Sequence, residues 1–303
     1  MLKYRDFVNN FIFEGGNAVE DARPLTQSEV IATYDWVEKQ VFPQLGLDGK
    51  GVDAEPIGSY GKKVETATSG DIDIAVSIDK IAGVNGLALD DVLDWLDKKL
   101  KSLGYSTKVA KGFNQVSFGA PISGNFKNGI AQIDLMLSSN LDWSRFMYYS
   151  PNFIEAESKY KGMYRNTLLM SIVSESMREV TKTTSAGEVE EYKSYVIRLE
   201  KGIYQVAKTF MGKKGSLVKT AILLHDQDKF ITSTPSEVVK FAFGEGINTS
   251  DVMTFENVWS IILRPNFIHK SKLNNILKRF RDYLVSAKMP IPSEAVNEFP
   301  NIF

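Results

Sequence analysis

The chain contains no cysteine among its 303 residues and only two histidines. The first absence removes disulfides, thiolate zinc sites and cysteine nucleophiles together. It fits a reducing cytoplasm, which is the expected location. The second leaves His225 and His269 as the whole imidazole supply. His225-Asp226 has the form of a metal phosphohydrolase dyad, but two histidines cannot build a histidine-rich site, so the pair reads as structural. Long apolar runs are also missing. No stretch approaches the roughly 18 residues that cross a bilayer, so no membrane partner is expected. The opening residues, Met1-Leu2-Lys3-Tyr4-Arg5-Asp6, carry no signal-peptide apolar region. Charge is nearly balanced at −1, so nothing global demands a nucleic-acid partner. Internal repeats and low-complexity tracts are absent. Gly61-Lys62-Lys63 is not a Walker A loop, because the Gly-x-x-x-x-Gly-Lys-Ser/Thr spacing is lacking. Lys62 or Lys63 remains a candidate for contact with phosphate.

What is present concentrates in residues 57–76. Gly58-Ser59 is followed, after a polar stretch, by Asp71-Ile72-Asp73 inside an apolar β-type run. Side chains alternate along a strand, so Asp71 and Asp73 share one face while Ile72 and Ile74 take the other. Two carboxylates held side by side repel unless a cation lies between them. Magnesium takes hard oxygen ligands and leaves room for substrate phosphates, so it suits the position. The bland alternative is a surface hairpin with acidic decoration. A second run, Gln132-Ile133-Asp134-Leu135-Met136-Leu137, places one Asp in an otherwise apolar strand. Such burial is costly unless the charge has a task. Ala54 to Ile57 forms a short strand leading into Gly58-Ser59. A short helix after that turn is expected to aim backbone N–H groups at a triphosphate. Ser59 can add its hydroxyl.

This constellation resembles the nucleotidyltransferase superfamily of DNA polymerase beta, poly(A) polymerases, CCA-adding enzymes and oligoadenylate synthetases. The matching residues are Ile57-Gly58-Ser59, then Asp71-Ile72-Asp73, then Asp134. Many members carry Ser-Asp directly before the carboxylate pair, whereas this chain has Ser69-Gly70, which changes only the turn into the strand. The likeness covers about residues 25 to 140. It implies an α/β nucleotidyltransferase core, a mixed sheet with flanking helices, over 1–150. It also implies two magnesium ions, with manganese able to substitute, held by Asp71, Asp73 and Asp134 as metal ligands and catalytic residues. Gly58, Ser59 and Lys62 are candidates for nucleotide binding. Superfamily members often add a lysine from the helical region that follows, which makes Lys159, Lys161 and Lys208 further candidates.

The coarse reading agrees with that core. Thr26-Gln27-Ser28-Glu29 is a capping box opening a helix that Pro43 should end. Leu89, Val92, Leu93, Leu96, Leu100 and Leu103 mark an amphipathic helix stopped at Gly104. Residues 105–109, 115–118 and 131–137 read as strands. A boundary is expected near Tyr149-Ser150-Pro151-Asn152, followed by a mainly α-helical domain, 151–303, that binds nucleotide and acceptor. Ser158 to Val173, Tyr192 to Met211, Val252 to Ile262 and Leu273 to Ala287 have helical spacing. Thr181 to Glu188 reads as a polar connector, and Glu188, Glu190 and Glu191 as a solvated helix start.

Charge is shared unevenly. Residues 1–150 carry 15 basic against 20 acidic residues, and residues 151–303 carry 21 against 17. Lys201, Lys208, Lys213, Lys214 and Lys219 cluster. Arg264, Lys270, Lys272, Lys278, Arg279 and Arg281 lie in a stretch with no acid from Asn257 to Arg281. Basic side chains suit a polyanion, although a solvated helix face explains them equally. The expected function is transfer of a nucleoside monophosphate from an NTP, ATP first, to an acceptor hydroxyl. A 3′ end of single-stranded RNA leads as acceptor. Nucleotidylation of a small molecule or protein, or synthesis of a linear or cyclic oligonucleotide, is the alternative. A non-catalytic nucleotide-binding module lies outside both.

Overall fold

The structure, a computed structural model, describes residues 18–176, 179–183, 189–199, 201–211, 220–223 and 229–303. The described chain divides into two compact units, one ending at Gly162 and one running from Met163 to Phe303.

In the first unit, Thr26 caps helix α1 (Gln27–Gln40) by accepting the Glu29 N–H, and the Glu29 carboxylate accepts the Thr26 N–H in return. Both orphan donors are thereby satisfied. Pro43, expected to end this helix, instead sits in the first turn of a short α2 (Phe42–Leu45). Five strands follow: β1 (Ala54–Pro56), β2 (Asp71–Ser77), β3 (Thr107–Ala110), β4 (Gln115–Pro121) and β5 (Ile130–Ser138). Their order in the sheet is β1-β2-β5-β4-β3. Only β2 and β5 run parallel, so the sheet is mixed. Helices α3 (Ile78–Asn85) and α4 (Val92–Ser102) lie between β2 and β3 in the chain. The expected amphipathic helix is α4, which buries Val92, Leu96 and Leu100. Leu89 falls in a 3-10 turn ahead of it and is exposed.

Alternation divides this sheet into two faces. Ile72, Ile74 and Val76 of β2, Val116, Phe118 and Ala120 of β4, and Ile133, Leu135 and Leu137 of β5 all join the hydrophobic core with α1 and α4. The intervening residues, Asp71, Asp73, Gln115, Ser117, Gln132 and Asp134, belong to the opposite face. Leu25 and Ser69 exchange backbone N–H···O bonds of 2.8 and 2.9 Å, which tie the entry of β2 to the start of α1. Helix α5 (Leu141–Met147) follows β5 and is capped by Asn140.

The second unit carries a sheet beside the helices expected there. It contains helices α6 (Gly162–Ser176), α7 (Pro235–Phe243), α8 (Phe255–Leu263), α9 (Leu273–Ser286) and α10 (Ser293–Glu298). Three of these match the expected segments with shifted ends. It also contains a five-stranded antiparallel sheet: β6 (Glu179–Thr183), β7 (Val189–Arg198), β8 (Gly202–Met211), β9 (Thr220–Leu223) and β10 (Lys229–Thr232). Its order is β10-β8-β7-β6, with β9 also paired to β8. The segment expected as one helix, Tyr192 to Met211, is the β7–β8 hairpin. Gly202 explains the break. It holds φ +106°, and a Cβ there would stand 2.3 Å from the Thr232 carbonyl oxygen on the paired β10. A helix interior tolerates glycine poorly, and this backbone shape belongs to a turn. Thr181 to Thr183, expected in a connector, lie in β6, and Glu190 and Glu191 lie in β7. His225-Asp226, Glu188, Lys213, Lys214 and Lys219 lie outside the described residues. No helix among the described residues is long and apolar enough to cross a membrane.

Candidate active site

The β2–β5 register sets Asp71 beside Gln132 and Asp73 beside Asp134. Neighbours across a parallel pair share a face, so the three aspartates converge. One oxygen from each lies within 4.8 Å of the others. Among the described residues no other group of three such ligands gathers. Asp134 is 5% exposed, and Asp71 and Asp73 are half-buried.

Their electrostatics follow from that crowding. Burial raises the Asp71 carboxyl above its ordinary range, and the positive charge of Lys63 opposes the rise. Asp73 is raised well above that range, first by burial and then by Asp71 and Asp134. Asp134 is pushed up to about 7 by burial and Asp71, against hydrogen bonding from Ser117, Gln132 and Gln115. Three acids that resist ionising together are relieved by a cation in their midst. All the donors are hard oxygens, so the residues fit magnesium or manganese.

The Gly-Ser turn reaches this site through β1. Pairing of Pro56 with Ile74 brings the end of β1 alongside β2, and the Ile57 N–H donates to the Asp73 carbonyl at 3.0 Å. Gly58 then takes φ +63° and donates its N–H to the Tyr148 carbonyl at 3.1 Å. A Cβ on Gly58 would stand 2.8 Å from the Asp73 carboxylate. Glycine is thus required by contact with a carboxylate as well as by its backbone. The short helix expected after Ser59 is absent. Residues 59–66 form turns, with the Lys62 N–H on the Ser59 carbonyl at 3.1 Å. Left-handed backbone at Gly58 and again at Gly61 stops a helix from starting.

The lysines separate. Lys62 donates its ammonium to the Ser150 carbonyl at 2.7 Å and lies 3.9 Å from the centre of the Tyr149 ring. Burial lowers its pKa. It ties the turn to the loop at 149–153, where the Phe153 N–H returns to the Lys62 carbonyl at 2.9 Å. Lys63 donates to the Thr68 carbonyl at 2.9 Å and is the lysine whose charge acts on Asp71 and Asp73. Lys159 and Lys161 are exposed in the segment before α6, and Lys159 lies 5.1 Å from the Tyr160 ring centre. Lys208 is on strand β8 of the second unit, opposite Tyr192 and Leu223, and its side chain lies outside the description.

No family model matches the chain, and no curated protein matches it. Among solved structures it is similar to Leishmania infantum polymerase beta in a ternary gap complex. The match has 13% identity and a TM-score of 0.35, and it covers 96% of this chain and 74% of that one. Likeness at this level assigns neither activity nor substrate. The chemistry of this chain has to come from its own residues.

Three of those residues were missed in the sequence. Gln115, Ser117 and Gln132 share the carboxylate face, with Ser117 directly across from Asp134 in the β4–β5 register. The signal was available. Gln115-Val116-Ser117-Phe118 alternates polar and apolar residues, as does Gln132-Ile133-Asp134, and both patterns place the polar members on one side.

Proposed function

We propose that the chain is a metal-dependent nucleotidyltransferase. It moves a nucleoside monophosphate from an NTP to an acceptor hydroxyl and releases pyrophosphate. The observation that carries the reading is the convergence of Asp71, Asp73 and Asp134 within 4.8 Å, with Gly58 against Asp73. Asp71, Asp73 and Asp134 would hold two magnesium ions. When bound, magnesium neutralises charge on the triphosphate and acidifies the acceptor hydroxyl. The acceptor oxygen attacks the α-phosphorus, and the bond from that phosphorus to the α–β bridging oxygen breaks. Asp134 takes the hydroxyl proton as general base. Gly58 lies beside Asp73, and the neighbouring Ser59 would add its hydroxyl to the phosphates. Lys63 adds positive charge near Asp71. ATP is the first nucleotide to test, and a 3′ end of single-stranded RNA is the first acceptor.

A specific observation supports a second reading, in which the acceptor is a small molecule or a protein. Two of the basic residues that suggested a polyanion are engaged elsewhere. Arg279 pairs with Glu175 at 2.5 Å, and Arg281 binds Asp282 at 2.8 Å and the Ile302 carbonyl at 2.8 Å. Incubation with each labelled NTP, magnesium and either RNA, DNA or no acceptor separates the two readings. Release of pyrophosphate with none of these, across all four nucleotides, counts against the first. Failure of any NTP with magnesium to raise the melting temperature counts against the transferase reading as a whole.

A further inference from the structure

We infer that Gln132 is the positioning residue of Asp134 and that the chain at Ala18 and Val19 latches it in place. The inference rests on the transferase reading, since it concerns how that site is held. Gln132 is a neutral amide standing beside Asp71 on the face of three acids. Its Nε2 donates to both oxygens of Asp134, at 3.0 and 3.2 Å. Its Oε1 accepts the Ala18 N–H at 2.8 Å and the Val19 N–H at 3.2 Å. Backbone N–H groups only donate, so they dictate which end of the amide faces them and which end faces Asp134. At 2% exposure, Gln132 meets little competition from water.

Other side chains fail at one end or the other. Glutamate would keep the contact to Ala18 and Val19 but set a fourth negative charge against Asp134. Asparagine is one methylene too short, and methionine has the length without the donor. Strand β4 supplies the seat. Gly119 is the cross-strand neighbour of Gln132. A Cβ on Gly119 would stand 3.0 Å from Val19 Cγ1 and 2.9 Å from Ser106 Oγ, so the missing side chain makes room for the latch. Val19 is 6% exposed in that seat. A glycine on β4, a segment ahead of α1 and an amide on β5 therefore act together on the third carboxylate. Ser117 and Gln115 also donate to Asp134, but the Gln132 amide is the partner whose own orientation is fixed by backbone 113 and 114 positions away from it in sequence.

The test is Mn2+ binding by electron paramagnetic resonance on the full chain, with urea unfolding in the absence of metal. Gln132→Met keeps volume and removes both hydrogen-bonding ends. It should weaken Mn2+ binding roughly tenfold or more, the usual effect of removing a partner that orients a ligand. Ala18→Pro removes one donor and leaves Gln132 intact, and should weaken binding by about fivefold, the worth of one hydrogen bond. If Gln132→Met does not fold, Ala18→Pro decides alone. Variants that lose stability but bind Mn2+ like wild type would overturn the inference and leave the transferase reading standing. Wild-type protein that binds no Mn2+ would overturn both.

Discussion

Gly58 and Gly61 both hold left-handed backbone, at φ +63° and +66°, yet only one touches the carboxylates. That difference separates backbone strain from site chemistry. Gly61→Ala adds a methyl with nothing within 4 Å, so it should cost strain alone, about 1 kcal/mol. Gly58→Ala carries the same strain and also presses on Asp73. It should lose similar stability in urea and, in addition, weaken Mn2+ binding and nucleotide transfer. Equal metal affinity in the two variants would refute the placement of the turn. At the carboxylates the sign reverses. Asp73→Asn removes the charge that burial, Asp71 and Asp134 all oppose. The metal-free variant should therefore unfold at higher urea than wild type while transfer falls to background. A variant with near wild-type turnover would sink the assignment of Asp73.

At the scale of the element, the β2–β5 face sets a pH dependence. The folded pKa values of Asp71, Asp73 and Asp134 all lie above ordinary carboxylate values. The folded state then holds more protons than the unfolded chain between the two values. Stability from these groups is present below about pH 4 and is lost as pH rises; the Asp134 share is lost on approaching its value near 7. His269 works oppositely, because burial lowers its pKa and its contribution grows as pH rises. Comparing wild type with Asp134→Asn cancels that term. Without metal, the melting temperature of wild type relative to the variant should fall from pH 5 to pH 7.5. Saturating magnesium should reverse the trend, and a flat difference would contradict the crowded-carboxylate account.

The same elements show how much could be read in the sequence. The carboxylate strands were legible because alternation and a sharp contrast of polarity coincide at Asp71-Ile72-Asp73 and Ile133-Asp134-Leu135. The α1 start was legible because a capping box is a local device. The β7–β8 hairpin was not. Val196, Leu199, Ile203 and Val206 fit a helical spacing as well as any helix in the chain. What selects strands there is pairing with β6, β9 and β10, and Gly202 was the one local warning. The Gln132 latch was hidden for the same reason, since its partners at 18 and 19 are distant in sequence. Gly202→Ala tests the hairpin account. It should cost about 2 kcal/mol or more in urea, because the new methyl meets the Thr232 carbonyl and the backbone loses its glycine freedom.

On the scale of the whole molecule, the acceptor question turns on charge. The second half of the chain is the basic one, with 21 basic against 17 acidic residues from 151 to 303. Charge that is already paired contributes little to a polyanion site. Arg279 is held by Glu175, whose side chain is 8% exposed, and by the Tyr283 hydroxyl at 3.0 Å. Arg279→Glu would strand a buried carboxylate and should cost about 3 kcal/mol of stability. Any loss of RNA binding in that variant would report on folding. Lys278 is the cleaner probe, being exposed on α9 between Leu277 and Arg279. If the acceptor is RNA and Lys278 meets a phosphate, wild-type retention of a labelled oligonucleotide should fall steeply with salt. Lys278→Glu should weaken retention at low salt and reduce the log–log slope by about 0.7, the share of one neutralised phosphate on a single strand. Its urea midpoint and its Mn2+ affinity should match wild type. Salt-independent retention, or none at low salt, would remove the polymer acceptor. Nucleotidylation of a small molecule or a protein would then be the reading to pursue with the same carboxylates.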